Sequence, residues 1–196
     1  LSSTNWEAIV AFRLVILASG SGSIAQAIID AHELDIKVVA VLSDQIASQV
    51  LERAKTAGIP SECIPVGNSR ELWNTEFIEK TAAFEPDLVV SAGFMRILPP
   101  DFVLRFPTIN IHPSLLPDFP GAHAVRDALA AGVLVTGSTV HWVDAGVDTG
   151  PIITHMQVPV LPHDNERTLH ERIKNIERGL IVTTIALILP KLEQHV

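Results

Sequence analysis

A single cysteine, Cys63, excludes an internal disulfide in this 196-residue chain, so its fold must rest on an apolar core. That thiol sits in an apolar segment and reads as a buried bystander rather than a nucleophile. One cysteine also suits a reducing cytoplasm, the expected location. Basic residues are scarce, 14 against 22 acidic ones, and no long run of either sign occurs. The formal charge of −8 argues against a nucleic-acid-binding face, though not against a local phosphate site. No apolar stretch is long enough to span a bilayer; the strongest, 179–189, reads as a buried helix, and no membrane contact is expected. Residues 1–7 have the wrong polarity for a secretory leader, and the missing initiator methionine suggests a trimmed start. No Gly-Lys-Ser/Thr follows the first glycine-rich turn, which excludes a P-loop. His112, His123 and His141 match no metal-binding spacing, so no metal is expected. Repeats, low-complexity tracts and flexible linkers are absent too, leaving one domain over 13–196 behind an N-terminal extension, 1–12.

With 47% apolar and 18% charged residues, the chain has the composition of a compact soluble protein. Apolar runs at 14–17, 38–42, 63–66, 88–90 and 108–111 read as strands, separated by helical segments over 24–32, 48–57 and 70–84. Gly58 and Pro60 end the second of those helices. Such alternation predicts an α/β protein with a doubly wound, mainly parallel sheet and helices on both faces. Beyond a helix at 125–131 the rhythm changes. Two longer strands, 135–143 and 151–160, flank a Gly-rich connection and predict an antiparallel addition in the C-terminal half. Residues 165–189 are largely helical in pattern.

The most informative segment is Asn110-Ile111-His112-Pro113-Ser114-Leu115-Leu116-Pro117. Residues i and i+2 of a strand share a face, so Asn110 and His112 can reach one substrate atom. Pro113 and Pro117 end the strand and place the pair where a loop opens, a frequent setting for an active site. Ser19-Gly20-Ser21-Gly22-Ser23 falls between the first strand and the first helix. Glycines there admit a phosphate close to the free N–H groups of a helix start. Gly20, Gly22 and Ala25 also fit a dinucleotide pattern with Asp44 as ribose partner, which keeps a nicotinamide-dependent oxidoreductase open as an alternative. A plain turn with Ser23 as N-cap is the bland reading. Ser91-Ala92-Gly93-Phe94-Met95-Arg96-Ile97-Leu98 leaves the fourth strand and could line a slot for a flat ring. Asp148, in a Gly-rich loop able to fold back, would orient the His112 ring and favour its charged form. Singly, these two residues read as well as a satisfied histidine and a turn aspartate. His123 and His141 are given supporting roles at most.

Together with Phe119-Pro120-Gly121-Ala122-His123, Gly137-Ser138-Thr139-Val140-His141 and Val147-Asp148-Thr149-Gly150-Pro151-Ile152, these segments carry a resemblance. From about Arg13 to the last helix the chain resembles the folate-dependent formyltransferases, and among them the branch acting on glycinamide ribonucleotide. The resemblance implies a Rossmann-like formyltransferase fold whose N-terminal half binds the substrate phosphate and whose C-terminal half binds folate and carries catalysis. It implies a cytoplasmic enzyme of purine biosynthesis, monomer or homodimer, that takes a formyl group from its co-substrate 10-formyltetrahydrofolate without a metal. Asn110, His112 and Asp148 match the family's catalytic triad. Gly20, Ser21, Gly22, Ser23, Ile24, Pro113, Lys174 and Glu177 fall on the ribonucleotide side. Phe94, Met95, Arg96, Ile97, Leu98, Val143, Asp144, Ala145, Gly146 and Val147 fall on the folate side.

The resemblance has departures. Ile24 stands where many relatives carry asparagine, which removes a side-chain contact near the phosphate. The segment Phe106-Pro107-Thr108 looks shorter than in relatives, and many of them continue past the point where this chain stops. The implied chemistry has Asn110 and a protonated His112 donating to a tetrahedral oxyanion, with Asp148 keeping the ring charged and a held water carrying protons. Within the family, a methionyl-tRNA formyltransferase should carry an extra basic domain and a formyltetrahydrofolate hydrolase a regulatory one. A non-catalytic nucleotide-binding module is the blandest alternative. Gly22→Val is expected to block the phosphate and weaken ribonucleotide binding more than folate binding.

Overall fold

The computed structural model describes residues 11–192. The leader reading at 1–7 lies outside the described residues, as does most of the expected 1–12 extension. In chain order the elements are β1 (Phe12–Leu17), α1 (Ser23–Ile29), β2 (Ile36–Ser43), α2 (Gln49–Thr56), β3 (Ser61–Cys63), α3 (Arg70–Ala82), β4 (Leu88–Ser91), α4 (Pro100–Arg105), β5 (Thr108–His112), α5 (Ala124–Ala130), β6 (Val135–Trp142), β7 (Ile152–Pro159) and α6 (Glu166–Leu192). They form one seven-stranded sheet in the order β3-β2-β1-β4-β5-β6-β7. Strands β1 to β5 pair in parallel, whereas β6 and β7 are added antiparallel. The doubly wound sheet with an antiparallel C-terminal addition is the expected fold, including its Rossmann-like half.

The two faces of the sheet explain the apolar runs. Side chains alternate along a strand, so Leu14 and Ile16 of β1 face one layer and Val15 and Leu17 the other. The first layer packs α1, α2 and α6 through Ile28, Val50, Ile181 and Ile185. Trp73 and Phe77 of α3 and Phe102 of α4 fill the second. Buried on both faces, these strands lack polar alternation. Helix α6 runs for 27 residues and contains the 179–189 stretch. Among the described residues, no helix is long and apolar enough to cross a membrane.

Three elements differ from the sequence reading. Strand β3 is Ser61–Cys63, not 63–66. Ile64 N–H still donates to the Ser43 carbonyl at 2.8 Å, but Pro65 has no N–H with which to continue the ladder. Helix α4 falls where no helical segment is expected, and it opens on Pro100. Proline at the first helical position loses nothing, since that N–H has no helical partner. Strand β1 also begins before the apolar run 14–17, with Phe12 already paired to Ile36.

Topology then places the site. From β1 the chain winds outward through β2 and β3, and from β4 it winds the other way through β5. Neighbouring strands β1 and β4 thus send their connections in opposite directions. That switch point opens a crevice at their carboxyl ends, where ligands of open α/β sheets bind.

Candidate active site

The crevice is a cleft of about 600 Å³, walled by the turn after β1, the segment after β4, the end of β5, the loop after β6 and one face of α6. Every residue assigned from the resemblance lines it except Ala145, which is exposed. Asn110 and His112 share the β5 face as the spacing predicts. Across the antiparallel pair, Asn110 sits opposite His141 and His112 opposite Thr139. His141 therefore joins the centre of the site, a larger place than the sequence suggested. His123 is exposed at the start of α5 and is not on the cleft wall.

Asp148 is the hub. The loop carrying it is shaped by Asp144, whose Oδ1 accepts from Gly146 N–H at 2.9 Å and Thr149 Oγ1 at 2.7 Å. Gly150 lets the strand return, because a Cβ there would stand 1.8 Å from the Trp142 carbonyl oxygen. Asp148 itself adopts φ 54°, the left-handed region, which turns its side chain back onto β5. Its Oδ2 accepts from Gly121 N–H at 2.8 Å and lies 3.3 Å from His112 Nδ1. Its Oδ1 accepts from Asn110 Nδ2 at 3.3 Å and lies 3.5 Å from His141 Nε2. Burial pushes the Asp148 carboxyl up, but the His141 ring, the Gly121 N–H and the nearby His112 outweigh it and hold it below the usual range.

His112 is buried, at 5% exposure. Its Nε2 donates to the Phe119 carbonyl at 2.9 Å, since a carbonyl only accepts. With Asp148 at its other nitrogen, a ring carrying both protons satisfies both contacts. Asn110 Nδ2 lies 3.1 Å from His141 Nε2 as well as near Asp148. The two expected oxyanion donors are thus already engaged with protein acceptors in this arrangement.

The ribonucleotide side begins with the turn after β1. Gly22, not Ser23, is the N-cap of α1. It adopts φ 71°, and a Cβ there would meet Val50 Cγ2 at 2.5 Å. Ile24 lines the cleft but is mostly committed to the core. Glu177, on α6, is 3% exposed. Ser138 Oγ lies 3.0 Å from Glu177 Oε1 and 2.9 Å from the His112 carbonyl, and one hydroxyl proton cannot serve both. A protonated Glu177 resolves this, donating to Ser138, which donates to His112. Burial indeed pushes the Glu177 carboxyl up to about 7. His170, Lys174 and Glu177 follow helical spacing along one side of α6. His170 went unnoticed in the sequence, and that spacing was its only signal. Burial, then Lys174, pushes it below the usual histidine value.

On the folate side, Phe94 packs on Phe77 with ring centroids 5.4 Å apart, while Met95 and Ile97 stay 67% and 61% exposed. Two large apolar side chains held out at a cleft mouth suit a flat ring. Arg96 Nε donates to Asp44 Oδ2 at 2.7 Å. Asp44 is consumed there, so the oxidoreductase alternative loses its ribose partner. Among the described residues, no group of three or more His, Cys, Asp or Glu side chains could hold a metal ion.

Comparison with known proteins points the same way as this geometry. Residues 12–185 match the family described as formyl transferase. The phosphoribosylglycinamide formyltransferase of Mycobacterium tuberculosis (strain H37Rv) is 53% identical over 180 residues, spanning 89% of this chain and 83% of that one. The Escherichia coli (strain K12) protein of the same name is 41% identical over 180 residues, with 88% and 85% covered. Among solved structures, glycinamide ribonucleotide transformylase 1 from Symbiobacterium toebii superposes with a TM-score of 0.86 at 41% identity, over 89% of this chain and 85% of that one.

Proposed function

The chain belongs to the formyl transferase family, and from that premise we propose that it moves the formyl group of 10-formyltetrahydrofolate to the amine of glycinamide ribonucleotide in purine biosynthesis. The observation that carries this reading is the meeting of Asn110, His112 and Asp148 on the cleft floor, between the glycine turn after β1 and the apolar ledge of Met95 and Ile97.

The neutral amine attacks the formyl carbon, forming a C–N bond and a tetrahedral centre with a negative oxygen. Asn110 Nδ2 and His112 Nε2 donate to that oxygen, which takes the place held by the Phe119 carbonyl on the ring. Asp148 fixes the ring from its other nitrogen and balances its charge. Collapse of the centre breaks the bond to the folate N10. The proton lost by the amine passes to N10, through His112 or a water held by Asp148, so charge balances. The glycine turn receives the phosphate, with Lys174 and Glu177 facing the ribose, and the 144–148 loop lies against the pterin.

An assay of formyl transfer to glycinamide ribonucleotide, with water and tRNA as competing acceptors, tests the reading. The formylated ribonucleotide is expected as the product. Formate release alone would favour the hydrolase. His112→Ala should lower kcat by about 10²–10³-fold, the usual loss for an oxyanion donor, and Asp148→Asn should lower it by loosening the ring, while both ligands still bind. Near wild-type turnover in either would overturn the assignment.

A further inference from the structure

We propose that Asp44 is a positioning residue that holds the ribonucleotide turn and the folate-side ledge in one geometry. This rests on the formyl-transfer reading of the cleft. Asp44 follows β2, and its side chain is 0% exposed. Its Oδ1 accepts from Ser19 Oγ at 2.6 Å, and its Oδ2 accepts from Arg96 Nε and from Gln45 Nε2, both at 2.7 Å. Ser19 Oγ in turn accepts from Met95 N–H at 2.8 Å across 76 residues of chain. Ser19 N–H donates to the Gly93 carbonyl at 3.0 Å.

Ser19 opens the turn after β1, while Met95 and Arg96 form the ledge after β4. One carboxylate therefore ties together the segments that hold the two ligands, at the point where the strand order reverses. The ledge is held from its far side by Arg70, which donates to the Ile97 carbonyl and stacks over Trp73 at 4.5 Å. Burial pushes the Asp44 carboxyl up, but Ser19, Arg96 and Gln45 together hold it below the usual range, so it stays ionised as the bridge requires. A buried ion pair is a poor source of net stability, and its use is more often geometric.

Asparagine at this position offers one acceptor and one NH2 group, so it cannot accept from Ser19, Arg96 and Gln45 together. Asp44→Asn should raise the KM for the formyl folate about tenfold, the scale of one lost charge-assisted hydrogen bond. The KM for the ribonucleotide should rise severalfold. The pH profile of kcat should keep its shape, because His112 and Asp148 are untouched. Ser19→Ala removes one arm without unpairing a buried charge. It should speed amide exchange at Met95 and raise the ribonucleotide KM, even if Asp44→Asn fails to fold. Wild-type KM values in Ser19→Ala, or in a folded Asp44→Asn with only a lowered Tm, would overturn the proposal and leave Asp44 a packing residue. A wild-type enzyme that transfers no formyl group would sink the functional reading instead, and Met95 exchange would still test the bridge.

Discussion

Gly20 and Gly22 sit in the same turn, yet a side chain would meet different surroundings at each. A Cβ on Gly20 has nothing within 4 Å, whereas one on Gly22 would stand 2.9 Å from the Val50 Cα in a left-handed backbone. The expectation that Gly22→Val acts by blocking a phosphate is therefore revised, because its side chain collides with α2 first. Gly22→Ala should destabilise the protein by about 1–3 kcal/mol through the strained φ and the collision, read from urea denaturation. Gly20→Ala should leave the Tm unchanged and weaken ribonucleotide binding in calorimetric titration, with folate binding intact; unchanged ribonucleotide affinity would move the phosphate away from this turn. Asn110 and His112 were legible because a strand's period of two is local. The contact of Asp148 followed from the resemblance and not from spacing, since it depends on one left-handed residue and the return path allowed by Gly150. His141 was underrated because its place opposite Asn110 depends on the β5–β6 register, which one chain's residues do not announce.

Among the elements, α3 has the clearest link from packing to function. Trp73 stacks on Phe77 at 4.7 Å and Phe77 on Phe94 at 5.4 Å, and Trp73 Nε1 donates to the Ile64 carbonyl at 2.7 Å. Phe94 leads directly into the Met95 ledge, so α3 supports the folate side from below. Phe77 is fully buried, and Phe77→Ala should cost about 3–5 kcal/mol by the large-to-small rule. At a temperature where the variant stays folded, its KM for the formyl folate should rise and that for the ribonucleotide should not; equal rises would mean general loosening. The strands and long helices of this layer were legible because buried parallel strands are continuous apolar runs. Short elements were not. In α4 a proline pair masks a helix start, and in β3 the apolar run extends past the three residues that pair. The network of Asp44, Ser19 and Arg96 was invisible as well, since it exists only where strands β1, β2 and β4 end together.

At the scale of the whole molecule, buried groups with opposed shifts set how stability depends on pH. Glu177 rises from 4.5 to about 7 in the folded protein. Between those values the folded chain keeps a proton that the unfolded chain has released, so this stabilisation is complete below pH 4.5 and is lost as pH rises toward 7. His170 acts in the opposite sense. Its value falls below 6.5 on folding, so the unfolded chain takes up the proton first and stability drops as pH falls below 6.5. Asp44 and Asp148, both held below 3.8, add stability present in neutral solution and lost only in stronger acid. Below pH 6.5 the Glu177 and His170 slopes oppose each other, so the wild-type curve should be shallower there than either group alone would make it. Removing either group should uncover the other. Glu177→Gln keeps an oxygen and a donor for Ser138 but no longer titrates. It should raise stability by about 1–3 kcal/mol at pH 8 and by little at pH 5, as followed by Tm across the range. His170→Asn should show the mirror pattern, gaining at pH 5 and not at pH 8. Equal shifts at both pH values for Glu177→Gln would mean that the buried carboxyl is already ionised in the folded chain, and the proton shared through Ser138 toward the His112 carbonyl would have to be reassigned.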